Sequence, residues 1–253
     1  MTSSTPQLRI ALLLGAAATL ATLALFPYVL ALQPHASDKL PLAPAIVIAA
    51  QTAQSGVLCF LLAWAGLKLG APLGLGAPWL TARMYADRAK PASSNWLAAT
   101  GLGVLGALLV LGIIALFGPP LAEAAAHVKP PTTAPWRGAL ASFYGGIVEE
   151  IQLRLFLLTL IAWLLTRARL RQPWAFGIAI AAAALLFGAG HLPMAAKLAP
   201  LDAATVARVV GYNALLGLAF GWLYCRHGLE HAMLAHFSAD LVLHVVAPLA
   251  HSL

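Results

Sequence analysis

Seven apolar runs, at roughly 8–32, 43–69, 96–118, 138–166, 174–192, 205–225 and 230–248, limit what this chain can fold into. Each holds mostly Leu, Ala, Val, Ile and Phe. Each is near the length, about 20 residues, that an α-helix needs to cross hydrocarbon. One such run fits the core of a soluble domain. Seven within 253 residues do not, because a single soluble core cannot bury them all. Only 9% of the residues are charged, against about a quarter in an ordinary soluble domain. The expected fold is all-α, a polytopic transmembrane bundle of about seven spans, with six to eight as the range.

This composition excludes a soluble enzyme, a disordered chain and a disulfide scaffold. Cys59 and Cys225 both lie in apolar runs and give no metal-ligand spacing. The formal charge of +7 does not point to nucleic acid, because the basic residues sit in short loops. Their expected partners are membrane lipid head groups. The first run, Ile10 to Leu32, is longer than a signal-peptide core and lacks a cleavage pattern near its end, so it reads as a retained span. Proline-bearing breakers separate the runs. The longest polar interruption, 70–95, is expected to hold an interfacial helix over Pro78–Ala89, with Trp79, Met84 and Tyr85 as anchors. With seven spans, Arg9, Lys68, Arg83, Arg88, Lys90, Arg167, Arg169, Arg171 and Arg226 fall on one side. Lys39, Lys129, Arg137, Lys197 and Arg208 fall on the other. The positive-inside rule then predicts a cytoplasmic N-terminus and an outer C-terminus.

Ionisable residues inside spans are costly, on the order of 3 kcal/mol each at mid-bilayer, and are functional suspects by default. Adjacent Glu149 and Glu150 lie near the middle of the fourth run, and Arg154 shares a face with Glu150 four residues on. His191 closes the fifth run, four residues after Phe187. His236 and Asp240 are four apart in the last run. Each group has a bland explanation: a neutralising pair, an interfacial histidine, a helix–helix hydrogen bond. One polar cavity at the bundle centre explains all three together. Equal depth is not implied, since at about 1.5 Å per residue the three groups differ by roughly 10 Å or more. His227, His231 and His244 read as interfacial, as do His35, His127 and His251, and Glu230 as a helix-start acid.

Those same residues carry a family resemblance. Glu149-Glu150-Ile151-Gln152-Leu153-Arg154 resembles the EExxxR motif of the intramembrane CAAX-type proteases, the CPBP or Abi family. Phe187 to His191 resembles its FxxxH motif, and His236 to Asp240 its HxxxN/D motif. The resemblance covers about 135 to 245 and implies a catalytic core at 135–248. Residues 1–134 supply helices and loops without a motif, within one membrane domain. Family members are helical membrane endopeptidases. The eukaryotic branch removes the last three residues of prenylated CAAX proteins; bacterial relatives are linked to peptide maturation, bacteriocin self-immunity and surface-protein processing. Asp240 stands where the prenyl-protein branch has Asn, which weakens any transfer of CAAX specificity.

The resemblance implies a peptidase in a bacterial cytoplasmic membrane, acting on a peptide or protein, lipidated or not. A carboxylate in an apolar cavity holds protons more tightly than in water and can serve as a base near neutral pH. Glu149 is the expected general base, with His191 holding the water. Arg154 would hold Glu150, and His236 with Asp240 would orient or stabilise the carbonyl oxygen. No cofactor is required on this reading. The alternative is a divalent metal such as Zn²⁺ on Glu149, His191 and His236. Competing classes are a non-catalytic immunity or scaffold protein and a proton-coupled transporter, although neither inverted repeats nor paired broken helices are evident in the sequence.

Overall fold

In the computed structural model, residues 5–32, 42–85, 95–117, 134–198 and 200–250 are described. They are helical apart from short turns, with no strand among them. In chain order the helices are α1 (Thr5–Leu32), α2 (Pro44–Gly70), α3 (Pro78–Met84) and α4 (Trp96–Phe117). Then come α5 (residues 135–167), α6 (Gln172–Gly190), α7 (Leu192–Leu198), α8 (Ala203–His227) and α9 (Leu229–Ala250). Six of these are long and apolar enough to cross a membrane: α1, α2 with its 3₁₀ extension, α4, α6 continued into α7, α8 and α9.

The predicted span 138–166 lies within α5, helical throughout but not regular. Two π segments, Tyr144–Glu149 and Ile151–Leu158, occupy its middle. π-turns close through i→i+5 bonds and widen the helix, often beside functional side chains. Nothing in the apolar periodicity announces this change. The predicted interfacial helix is shorter than expected: α3 ends at Met84, and Arg88 and Ala89 lie outside the described residues.

Proline sets several starts. Pro44, Pro78 and Pro135 occupy the first turns of α2, α3 and α5, where the missing N–H costs nothing. Asp202 caps α8, accepting the Thr205 N–H at 2.6 Å, and this bond holds its carboxyl below the usual range. Small residues let the helices approach in lipid, where packing replaces the hydrophobic drive. A Cβ at Gly103 of α4 would strike the Ala235 carbonyl of α9, and one at Gly66 of α2 would strike the Leu155 carbonyl of α5.

Two sets of contacts define the ends of the bundle. At one end, Leu229 N–H bonds the Gly76 carbonyl at 3.0 Å, and Gln172 Nε2 bonds the Leu73 carbonyl at 3.1 Å. There too Leu80 N–H donates to Glu230 Oε1 at 2.8 Å, so the helix-start acid also ties α9 to α3. At the other end, Tyr28 of α1 meets His244 of α9, and Gly138 of α5 lies against the His244 backbone. α5 crosses α9 so that Gly146 packs on Met233 and Phe237, one turn from the motif residues.

Candidate active site

Glu150 anchors the site from behind. It is fully buried, as is Arg154 one turn later. Its Oε1 forms an ion pair with Arg154 Nη1 at 2.8 Å and accepts a hydrogen bond from His236 Nδ1 at 2.7 Å. Arg154 Nη2 also donates to the Gly217 carbonyl of α8 at 3.3 Å. A buried charge needs such pairing, because an uncompensated one loses its hydration for nothing. The guanidinium further lies 4.7 Å from the Phe187 ring centre and 5.4 Å from that of Phe220, at distances where the ring face attracts a cation.

His236 is gripped on all sides. With Nδ1 committed to Glu150, its Nε2 lies 3.7 Å from Glu149 Oε2 and 3.6 Å from Asp240 Oδ1. Phe220 stacks on the imidazole at 4.7 Å between centres, and Phe187 meets it edge-on at 5.4 Å. A bare lone pair on Nε2 would be repelled by two carboxylate oxygens, so a proton is held among these atoms.

His191 has a defined tautomer. Its Nδ1 lies 2.8 Å from the Phe187 carbonyl, which can only accept, so Nδ1 carries the hydrogen. A neutral His191 therefore offers Nε2 as an acceptor. Phe187 packs edge-on against this ring at 4.9 Å, so one aromatic residue touches His191, His236 and Arg154.

Glu149, Phe187, His191, His236 and Asp240 line one cavity of about 320 Å³. Glu150 and Arg154 stand behind its wall. The three groups, on α5, α6 and α9, are thus brought together despite their different nominal depths. Crossing helices and long side chains close the gap: Glu150 and His236 are 86 residues apart and 2.7 Å in contact.

The cavity also takes residues that the motifs do not contain. Tyr28, Tyr144, Gly145, Asn213 and His244 line it. His244, expected at an interface, instead places Nδ1 3.3 Å from the Tyr28 hydroxyl. His231, also expected at an interface, is buried against Trp96, with ring planes 1° apart and centres at 4.3 Å. His35, His127 and His251 lie outside the described residues. Gly145 is the most constrained wall position, since a Cβ there would meet Asp240 Oδ2 and His236 Nε2. Gly145→Ala is therefore expected to displace the carboxyl–imidazole pair and lower turnover at least tenfold, with the protein still folded. Kinetics on purified variant and a melting curve measure both.

Among the described residues, no group of three or more His, Cys, Asp or Glu side chains is arranged to hold a metal ion. Of the Glu149, His191 and His236 set, His236 spends one ring nitrogen on Glu150 and holds the other 3.7 Å from Glu149 Oε2.

Residues 131–242 match the Rce1-like family, described as type II CAAX prenyl endopeptidase Rce1-like. The match takes in all three motifs and leaves the first 130 residues outside it. No curated protein and no solved structure matches the chain.

Proposed function

We propose that the chain, whose residues 131–242 match the type II CAAX prenyl endopeptidase Rce1-like model, is an intramembrane endopeptidase in which Glu149 activates water. The observation that carries this reading is the single cavity shared by Glu149, His191, His236 and Asp240. Hydrolysis needs a base for the water and a donor for the developing oxyanion. Glu149 is the half-buried carboxylate of the pair and lines the cavity, while Glu150 is locked to Arg154. A water between Glu149 and His191 Nε2 gives one proton to the carboxylate and points the other at the imidazole. Its oxygen attacks the scissile carbonyl carbon. His236 Nε2–H, aimed into the cavity by the Glu150 bond, donates to the carbonyl oxygen as it becomes negative. Asp240 holds that proton in place or donates its own. Collapse of the tetrahedral adduct breaks the C–N bond, and Glu149 returns its proton to the leaving amine.

Metal independence follows from this scheme. Purified protein should keep full activity after exhaustive chelation; loss restored only by one divalent ion would replace Glu149 as the source of activated water.

The substrate class is a membrane-associated or hydrophobic peptide or protein. Incubating purified protein with prenylated and unprenylated peptides, and mapping products by mass spectrometry, tests it. A defined cut made by wild type and lost in His191→Ala and His236→Ala supports the proposal. Unchanged biological function in both variants would favour a scaffold.

A further inference from the structure

The cavity lies toward one end of the bundle. It takes in Tyr28, four residues before α1 ends at Leu32, and Ala141, six residues into α5. It takes in His191, directly after α6, and His244, in the last third of α9. All of these lie toward the end where Tyr28 meets His244 and Gly138 meets the His244 backbone.

The basic residues lie toward the other end. Arg167, Arg169 and Arg171 crowd the turn between α5 and α6, and Arg226 closes α8 beside α9. Arg83 is in α3, Lys68 is in the last turn of α2, and Arg9 is in the first turns of α1. The bonds from Gln172 to Leu73 and from Leu229 to Gly76 place these turns at one common end, away from the cavity. By sequence, nine of the fifteen Lys and Arg residues fall on this side and five on the other, with Arg154 buried at the site. Short loops rich in Arg and Lys stay on the cytoplasmic side of a membrane.

We propose that the cavity receives its substrate from the non-cytoplasmic face. The inference rests on the protease reading for the word substrate, but the sidedness stands on the charge and the fold alone. The substrate class becomes a polypeptide segment at the outer leaflet or beyond it, such as an exported or membrane-tethered peptide. The C-terminus of a cytosolic protein would meet the wrong face.

Two cysteine reporters test this in a Cys59→Ala, Cys225→Ala background. Leu201→Cys lies before α8 at the cavity end, and Ala168→Cys lies in the arginine-rich turn. Both positions are exposed and neither lines the cavity. In sealed right-side-out vesicles, a membrane-impermeant maleimide should label Leu201→Cys and spare Ala168→Cys. Inside-out vesicles should give the reverse. Labelling of Ala168→Cys alone in right-side-out vesicles would overturn the proposal. A polar peptide that the detergent-solubilised protein cleaves should, added outside, be cut by right-side-out vesicles and not by inside-out ones. Cleavage by inside-out vesicles alone would overturn the sidedness and leave the protease standing. Should no peptide be cut even in detergent, the protease reading fails and the labelling pattern still decides the face.

Discussion

Glu149→Gln should abolish most of the peptide cleavage while leaving the fold intact. Loss of a positioned general base costs roughly 10²–10⁴-fold in rate. Gln keeps the shape and can still hydrogen-bond water, but it cannot take the proton. The side chain is outside the buried Glu150–Arg154 pair, and it lies 3.7 Å from His236 Nε2. Stability should therefore be nearly unchanged. The expected kinetic signature is a fall in kcat with KM little altered, because the interaction is made as the reaction proceeds. Wild-type rates in Glu149→Gln would remove the residue from the chemistry.

Arg154→Met should act through the opposite channel. The guanidinium is buried and answers Glu150 at 2.8 Å, the Gly217 carbonyl at 3.3 Å and the Phe187 ring at 4.7 Å. Met fills comparable space but leaves Glu150 buried with His236 as its remaining partner. Removing one member of a buried ion pair costs roughly 3–5 kcal/mol. In a chain of this length that lowers the melting temperature on the order of 10 °C. Activity should fall with it, because Glu150 no longer fixes the Nδ1–H of His236. Arg154→Lys restores the charge without the planar two-nitrogen reach to both Glu150 and Gly217, so it should recover only part of the stability. Thermal melts of the purified variants, set beside Glu149→Gln, separate the two roles. An unaltered melting temperature in Arg154→Met would contradict the structural role of the pair.

These contrasting roles explain what was readable in advance. Glu149, Glu150, Arg154, His191, His236 and Asp240 stand out because ionisable groups in apolar spans are expensive, so their presence is itself a signal. Six of the seven apolar runs are also long apolar helices in the structure, readable for the same reason that composition limits a membrane chain, while the run at 138–166 carries the charged motif residues and is not among the six. Tyr28, Asn213 and His244 were not readable as wall residues. Tyr28 and His244 are ordinary toward a helix end, Asn213 is a single amide near the middle of α8, and Tyr28 reaches His244 across 216 residues of sequence. Phe220, which stacks on His236, is one apolar residue among many in α8. Gly145 carries no side chain to announce that its space belongs to Asp240 and His236. The π segments of α5 change the hydrogen-bond pattern without changing the residue types, so periodicity cannot reveal them. Nominal depth was misleading, because it counts Cα rise along straight helices and ignores both crossing and side-chain reach.

A double-mutant cycle on peptide cleavage bears most directly on the claim that three helices serve one reaction. Residues acting as a unit give strongly non-additive losses, whereas independent sites multiply. Rates would be measured for Glu149→Gln, His236→Ala and the double variant, each with its folding checked. The account predicts that the double variant is no slower than the worse single variant by more than a few-fold. Losses that multiply in the double variant would show two separate contributions and contradict a shared site.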